Sequence, residues 1–262
     1  MDRGLKEKIK NSGNNLHLDV AYWLEEEGWD VNLSPYYCDD ITKKPREIDI
    51  IAKKTNLMVY DGDEKHKFDT CLFIECKNFK ESFAFRIEEN TLEKGESVLL
   101  SQNHNIFSDS DKSVLSRTNL PNVLHCFTEK RIARLWDSVS QEKDIFDAVT
   151  QPIKALNFFR KEFTRKSIFY PVVICRGITG FYNVEEVNPQ EKEEYLDKLS
   201  EIPQITFGLN YASPGKISAG TELSPKARDF YIDFILEKNL INYLLDLKKE
   251  SDEIGKFLLR KI

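Results

Sequence analysis

The spacing of apolar positions divides the chain into readable elements. In 14–28, Leu16, Val20, Trp23 and Leu24 recur on one helical face, with Ser12 or Asn14 as cap and Gly28 as stop. Trp29 to Cys38 predicts a first strand, Asp39 to Pro45 a charged turn, and Glu47 to Ile51 a second strand. A longer hairpin excursion follows over 53–69, with an extra strand at Leu57 to Tyr60 and a turn at Asp61-Gly62-Asp63. That turn lacks the further ligand spacing of a calcium loop. Leu72 to Lys77 is the next strand.

The stretch 78–143 is less regular. Phe79, Phe83 and Phe85 follow the strand closely, Glu88 to Glu96 is acidic and solvated, Ser108 to Lys112 is a polar loop, and Asn122 to Thr128 carries a strand pattern. Asp144 to Phe163 is helical, with Ile145, Val149, Ile153, Leu156, Phe159 and Phe163 at helical spacing. Pro152 should kink this helix or mark its true start, with Thr150 as cap. Ile168 to Arg176 is strongly apolar and predicts a central strand. Gly177 and Gly180 mark a turn, from which Phe181 to Val184 would pair back. A short helix at Glu191 to Leu199, strands at Ile205 to Leu209 and Phe230 to Leu236, and an amphipathic helix at Asn239 to Ile254 complete the pattern.

Two of these strands carry charges that a buried strand should not. In Leu72 to Lys77, strict alternation puts Leu72, Ile74 and Cys76 on one face and Phe73, Glu75 and Lys77 on the other. In Arg46 to Ile51, Asp49 shares its face with Glu47 and Ile51. Ionised groups in apolar surroundings need a partner or a metal. Two carboxylates and an ammonium on adjacent strand ends would meet that need together, and oxygen ligands suit a hard divalent cation.

The order of an Asp, then Glu-x-Lys on the following strand, resembles the PD-(D/E)xK superfamily of metal-dependent nucleases. Arg46-Glu47-Ile48-Asp49 and Phe73-Ile74-Glu75-Cys76-Lys77 are most similar to its restriction-endonuclease-like and Holliday-junction-resolvase-like branches. The family's proline is absent, Ile48 preceding Asp49. The resemblance implies an α/β fold with a restriction-endonuclease-like core: helix, three strands, helix, strand, in a mixed central sheet flanked by helices. That core would occupy about 10–77 and 144–184, with an insertion at 78–143 and a C-terminal strand-helix extension at 185–262, all one elaborated domain.

It also implies a site. Asp49, Glu75 and the backbone carbonyl of Cys76 would hold magnesium or manganese, and Lys77 would position or deprotonate the attacking water. Glu47, His17 (where the family's first helix commonly carries a glutamate) and Gln151 are accessory candidates. Arg160, Lys161, Arg165 and Lys166 form the densest basic run, placed for phosphate contacts or for ordinary solvation. The implied partner is nucleic acid, most readily DNA, and restriction or anti-phage defence is the analogous role; a homodimer is compatible with it. The reading from a different class is a nucleic-acid-binding or interaction module on the same fold with its chemistry lost.

Composition adjusts this only slightly. The chain of 262 residues is 40% hydrophobic and 31% charged, with a net charge of −6. A nucleic-acid coat would be basic, so phosphate binding here requires local patches. No apolar run nears the ~20 residues that span a bilayer. The N-terminal Met1-Asp2-Arg3-Gly4-Leu5-Lys6 lacks a signal-peptide core. The five cysteines show no CxxC spacing, which suits reduced thiols in a cytoplasmic protein with no membrane partner.

Overall fold

The computed structural model describes residues 13–60, 64–103, 106–107, 111, 118–128, 131–137, 141–184, 201–213 and 226–259. The expected turn at Asp61-Gly62-Asp63, the helix at Glu191 to Leu199 and most of the loop at Ser108 to Lys112 lie outside these residues. The elements in chain order are α1 (Gly13–Glu26), β1 (Asp30–Leu33), β2 (Tyr36–Cys38), β3 (Pro45–Glu47), β4 (Ile50–Tyr60) and β5 (Glu64–Asn78). Then come β6 (Ala84–Glu89), α2 (Leu92–Gln102), a one-turn α3 (His125–Thr128), β7 (Arg131–Asp137) and α4 (Glu142–Phe159). The chain continues through β8 (Ser167–Arg176), β9 (Phe181–Val184), β10 (Glu201–Ile202), β11 (Gln204–Ser213), β12 (Lys226–Leu236) and α5 (Leu240–Leu259).

Among the described residues, ten strands form one mixed sheet in the order β1-β4-β5-β8-β12-β11-β7-β6-β9-β10. β4 and β5 make a long antiparallel hairpin, and β5 runs parallel to β8, which runs parallel to β12. β8 is buried from Ser167 to Cys175, as an inner strand covered on both faces should be. Pleating sorts the side chains into two layers. Leu72, Ile74, Tyr170, Val172 and Ile174 pack with Leu16, Val20 and Leu24 of α1 and with Leu244 and Leu247 of α5. Phe73, Phe169, Val173 and Phe234 pack on the opposite face against Ile145, Val149, Ile153 and Leu156 of α4. The fold is therefore α/β, a large mixed sheet flanked by helices.

Several expectations change. The first strand is two, because the backbone reverses at Ser34 (φ 51°) and β2 leaves the main sheet to pair with β3 alone. The strand expected over Glu47 to Ile51 is interrupted between β3 and β4, at Ile48-Asp49. Val123 to Phe127 is not a strand. Pro121 opens a 3₁₀ turn at Leu120–Asn122, Leu124 N–H donates to Leu120 O, and α3 follows. α4 starts at Glu142 and runs through Pro152; Thr150 is inside it, its hydroxyl donating to Phe146 O. Phe181–Val184 does not pair back on β8; it joins β6 and β10.

A second buried polar cluster ties α3, β8, β12 and α5 together. His125 Nδ1 is 3.3 Å from Glu250 Oε2 and its Nε2 is 3.5 Å from Asp233 Oδ2. Tyr170 donates to Glu250 at 3.0 Å, and Tyr243 and Thr206 donate to Asp233 at 2.8 Å each. Removing one member strands the others in an apolar interior. Glu250→Ala is expected to lower stability by about 3–5 kcal/mol, read from the urea midpoint; a loss below ~1 kcal/mol would show that the cluster is readily rehydrated.

Candidate active site

The interruption before β4 is what makes the site. β4 begins at Ile50, paired with Ile74, so the next backbone donor along β5 has no strand opposite it on that edge. Asp49 fills that gap with its side chain: Cys76 N–H donates to Asp49 Oδ2 at 2.7 Å. The backbone around it is pinned from the other side, Ser34 N–H donating to Asp49 O at 2.8 Å and Ile48 N–H to Pro35 O at 3.2 Å. Asp49 is thus held at the lip of the sheet by the neighbouring backbone, not by alternation within a strand.

Glu75 and Lys77 keep the face expected of them. Cys76 points into the α1 layer, and Glu75 is buried at 4% exposure toward α4. Lys77 Nζ lies 2.7 Å from Glu75 Oε1. Gln151, from α4, closes over the carboxylate; with the amide oriented so that nitrogen faces the acceptors, it donates to both Glu75 oxygens at 2.8 Å. From the other face of the sheet, His17 Nδ1 comes within 3.7 Å of Asp49 Oδ1. The structure therefore gathers Asp49, Glu75, Lys77, Gln151 and His17 at one place. Glu47 stands aside, hydrogen-bonded with Tyr36, although its charge still reaches Asp49.

The electrostatics follow from burial. Desolvation and then the charge of Asp49 push the Glu75 carboxyl up to about 8, against the pull of Lys77. Asp49 is also raised, by desolvation, despite Cys76 N–H, His17 and Lys77. Burial works to lower Lys77, but Glu75, Asp49 and Asp147 together outweigh it and hold the side chain as an ammonium. Two carboxylates in excess over one nearby ammonium, with hard oxygen donors, fit a divalent cation. Among the described residues no three His, Cys, Asp or Glu side chains group as a metal cage. A cation here would rely on Asp49, Glu75 and a backbone carbonyl.

The basic run is elsewhere. Arg165 pairs with Asp69 at 3.0 Å, and Asp69 is opposite Ser167 at the start of β8, whereas Glu75 is opposite Val173. Six residues of strand separate them, ~20 Å. Arg160 donates to Ser101 O, and burial, with Arg228 beside it, pushes its guanidinium down to about 10. Lys161 is 3.8 Å from Asp40, and Lys166 is exposed. The structure does not bring these four cations to the carboxylates.

Two neighbours escaped the sequence reading. Asp147, one turn before Gln151 on α4, is half-buried and its charge acts on both Glu75 and Lys77; the i, i+4 spacing from Gln151 was the available signal. Tyr37 is buried from β2, its hydroxyl without a hydrogen-bond partner among the described residues and within range of the Glu75 charge. Nothing local in the sequence marks it.

The way out of the site is also constrained. Phe79 N–H donates to Arg176 O as β5 and β8 end together. Gly177 follows at φ +87°, where a Cβ would stand 2.2 Å from Phe79 O. Only glycine allows that approach.

Compared with known protein families, curated proteins and solved structures, the chain matches none of them.

Gln151 gives an early test. Groups that orient ligating carboxylates typically affect metal affinity or activity by ~10–100-fold. If Asp49 and Glu75 hold magnesium, Gln151→Ala should weaken magnesium binding, read by calorimetry, by about that factor. An unchanged magnesium affinity would reduce Gln151 to a packing residue.

Proposed function

We propose that the chain is a divalent-metal-dependent nuclease hydrolysing phosphodiester bonds, with Asp49, Glu75 and Lys77 as its catalytic residues. The observation that carries this is their convergence. Asp49 comes from a break in one strand and Glu75 and Lys77 from the next, yet all three meet at one lip of the sheet. The succession of α1, the β1–β4–β5 antiparallel strands, α4 and the parallel β8 supports a restriction-endonuclease-like core, as the motif implies.

Magnesium or manganese, held by Asp49, Glu75 and the Cys76 carbonyl, would supply the Lewis acidity that polarises the phosphate and lowers the pKa of the attacking water. The chain's own residues do the rest. Cys76 N–H fixes the Asp49 carboxylate, and Gln151 fixes that of Glu75. Lys77, as an ammonium, offers a compact charge and three donors to the negative charge that builds up at phosphorus. His17 stands at the α1 side of Asp49, placed to steady that carboxylate or to meet a neighbouring phosphate.

The test is incubation of the purified protein with linear duplex, circular duplex, single-stranded DNA and RNA, with and without magnesium. Magnesium-dependent cleavage of at least one substrate is expected. Cleavage of none, with magnesium or manganese, would remove the reading.

A further inference from the structure

The two-stranded ribbon β2–β3 ends two residues before Asp49, and its faces differ sharply. The inner face is anchored. Tyr37 packs on Phe158 and Phe159 of α4, with ring centroids 6.2 and 6.5 Å away. Asp39 is fully buried at the start of the turn: its Oδ1 accepts from Ile41 N–H and Thr42 N–H at 2.8 and 2.9 Å, and its Oδ2 meets Lys154 Nζ of α4 at 3.2 Å. Lys43 N–H closes the turn on Asp39 O, and Asp39 N–H on Lys44 O.

The outer face is open. Tyr36 is 70% exposed and Ile41 51%. Lys43 and Lys44 are exposed at the tip and have no ion-pair partner among the described residues. Arg46 is opposite Tyr37 in the ribbon and so belongs to its inner side, half exposed and 4.0 Å from Asp39. Of the acidic neighbours, Asp40 is engaged with Lys161, while the hydrogen bond from Tyr36 to Glu47 supplies no counter-charge. Other exposed lysines also lack an ion-pair partner among the described residues, Lys80, Lys143, Lys166 and Lys248 among them, but Lys43 and Lys44 stand on a turn anchored to α4 and leading into Asp49. In a chain of net charge −6, this ribbon leaves cations for a partner, on a rigid mount, beside the catalytic lip.

From this we infer that the β2–β3 ribbon is the element that docks duplex DNA, entering the major groove and setting the phosphate backbone against Asp49, Glu75 and Lys77. A two-stranded ribbon is of the width that the B-form major groove admits, about 12 Å across. The A-form major groove is too deep and narrow for it. Lys43 and Lys44 would contact flanking phosphates, while Tyr36 faces the base edges or sugars. The inference rests on the nuclease reading and names its substrate as duplex DNA.

The test is binding of a labelled DNA duplex without added metal, by fluorescence anisotropy over a salt series, beside its single strand and an RNA duplex of the same sequence. Lys43 has φ 56°, which asparagine tolerates, so Lys43→Asn with Lys44→Ser preserves the turn. Each lost phosphate contact flattens the plot of log affinity against log salt by about 0.9. The double variant should therefore lower the slope by about 1.8 and weaken duplex binding at least about tenfold, with its melting temperature unchanged. The wild type should prefer duplex DNA over both other ligands. Wild-type affinity and slope in the variant, with magnesium-dependent cleavage intact, would overturn the ribbon's role and leave the nuclease reading standing. Preference for single strands or RNA would overturn it likewise. A wild type that neither binds nor cleaves any nucleic acid would remove both.

Discussion

Lys77→Ala is expected to slow cleavage by about 10²–10⁴-fold, the range for losing a positioned charge or proton donor at a reacting centre. The cause is specific. Lys77 Nζ is 2.7 Å from Glu75 and is the ammonium paired with that carboxylate, so its loss removes charge where the transition state gains it. The effect should fall on kcat, with duplex binding near wild type, because the ribbon cations are untouched. Lys77→Arg should restore only part of the rate, since a planar guanidinium does not replace a compact ammonium in a three-quarters-buried position. A variant Lys77→Ala with more than about a third of the wild-type rate would show that this lysine belongs to the fold and not to the chemistry.

The second large effect is on stability in the absence of metal. Glu75 has an ordinary value of 4.5 and is pushed up to about 8 in the fold, by burial first and Asp49 next. The folded protein thus holds this proton more tightly than the unfolded chain. Its contribution to stability is fully present below about 4.5, declines as pH rises, and is gone above about 8. The slope within that window reaches at most ~1.4 kcal/mol per pH unit. Asp49, also raised, acts in the same direction. Metal-free protein should melt several degrees lower at pH 8 than at pH 6. Glu75→Gln, neutral throughout, should lose most of that difference. Millimolar magnesium should reduce it in the wild type, because a ligand for the ionised carboxylates stabilises the fold at high pH, by ~2.7 kcal/mol at a hundredfold excess over its dissociation constant. Equal pH dependence in wild type and Glu75→Gln would mean that the carboxylate is not destabilised by its surroundings.

What the sequence shows well is whatever depends on side-chain period. The face shared by Phe73, Glu75 and Lys77, the buried strand from Ile168 and the helix carrying Leu16, Val20 and Leu24 all follow from alternation or helical spacing, and the structure has them. Asp49 shows the limit. The motif singles it out, but alternation puts it inside a strand, whereas it occupies a break and borrows the Cys76 N–H. That contact joins residues 27 apart and leaves no local trace. The ribbon was hidden for a similar reason: Tyr36 to Cys38 reads as the end of one strand until Ser34 turns the chain away. The run from Arg160 to Lys166 shows another limit of sequence spacing. Charge density along the chain suggested a phosphate site, while burial and pairing with Asp69, Ser101 and Asp40 use three of the four cations.

The central claim is that Asp49, Glu75 and Lys77 cleave phosphodiesters with a divalent ion. The most direct measurement is the rate of cutting of a labelled DNA duplex across a magnesium titration, for wild type, Asp49→Asn and Glu75→Gln, with binding of the same duplex recorded alongside. The wild type should cut only with magnesium or manganese, and both variants should bind the duplex normally yet cut at least about a hundredfold more slowly. Metal-independent cutting by the wild type, or variants that cut as it does, would contradict the assignment.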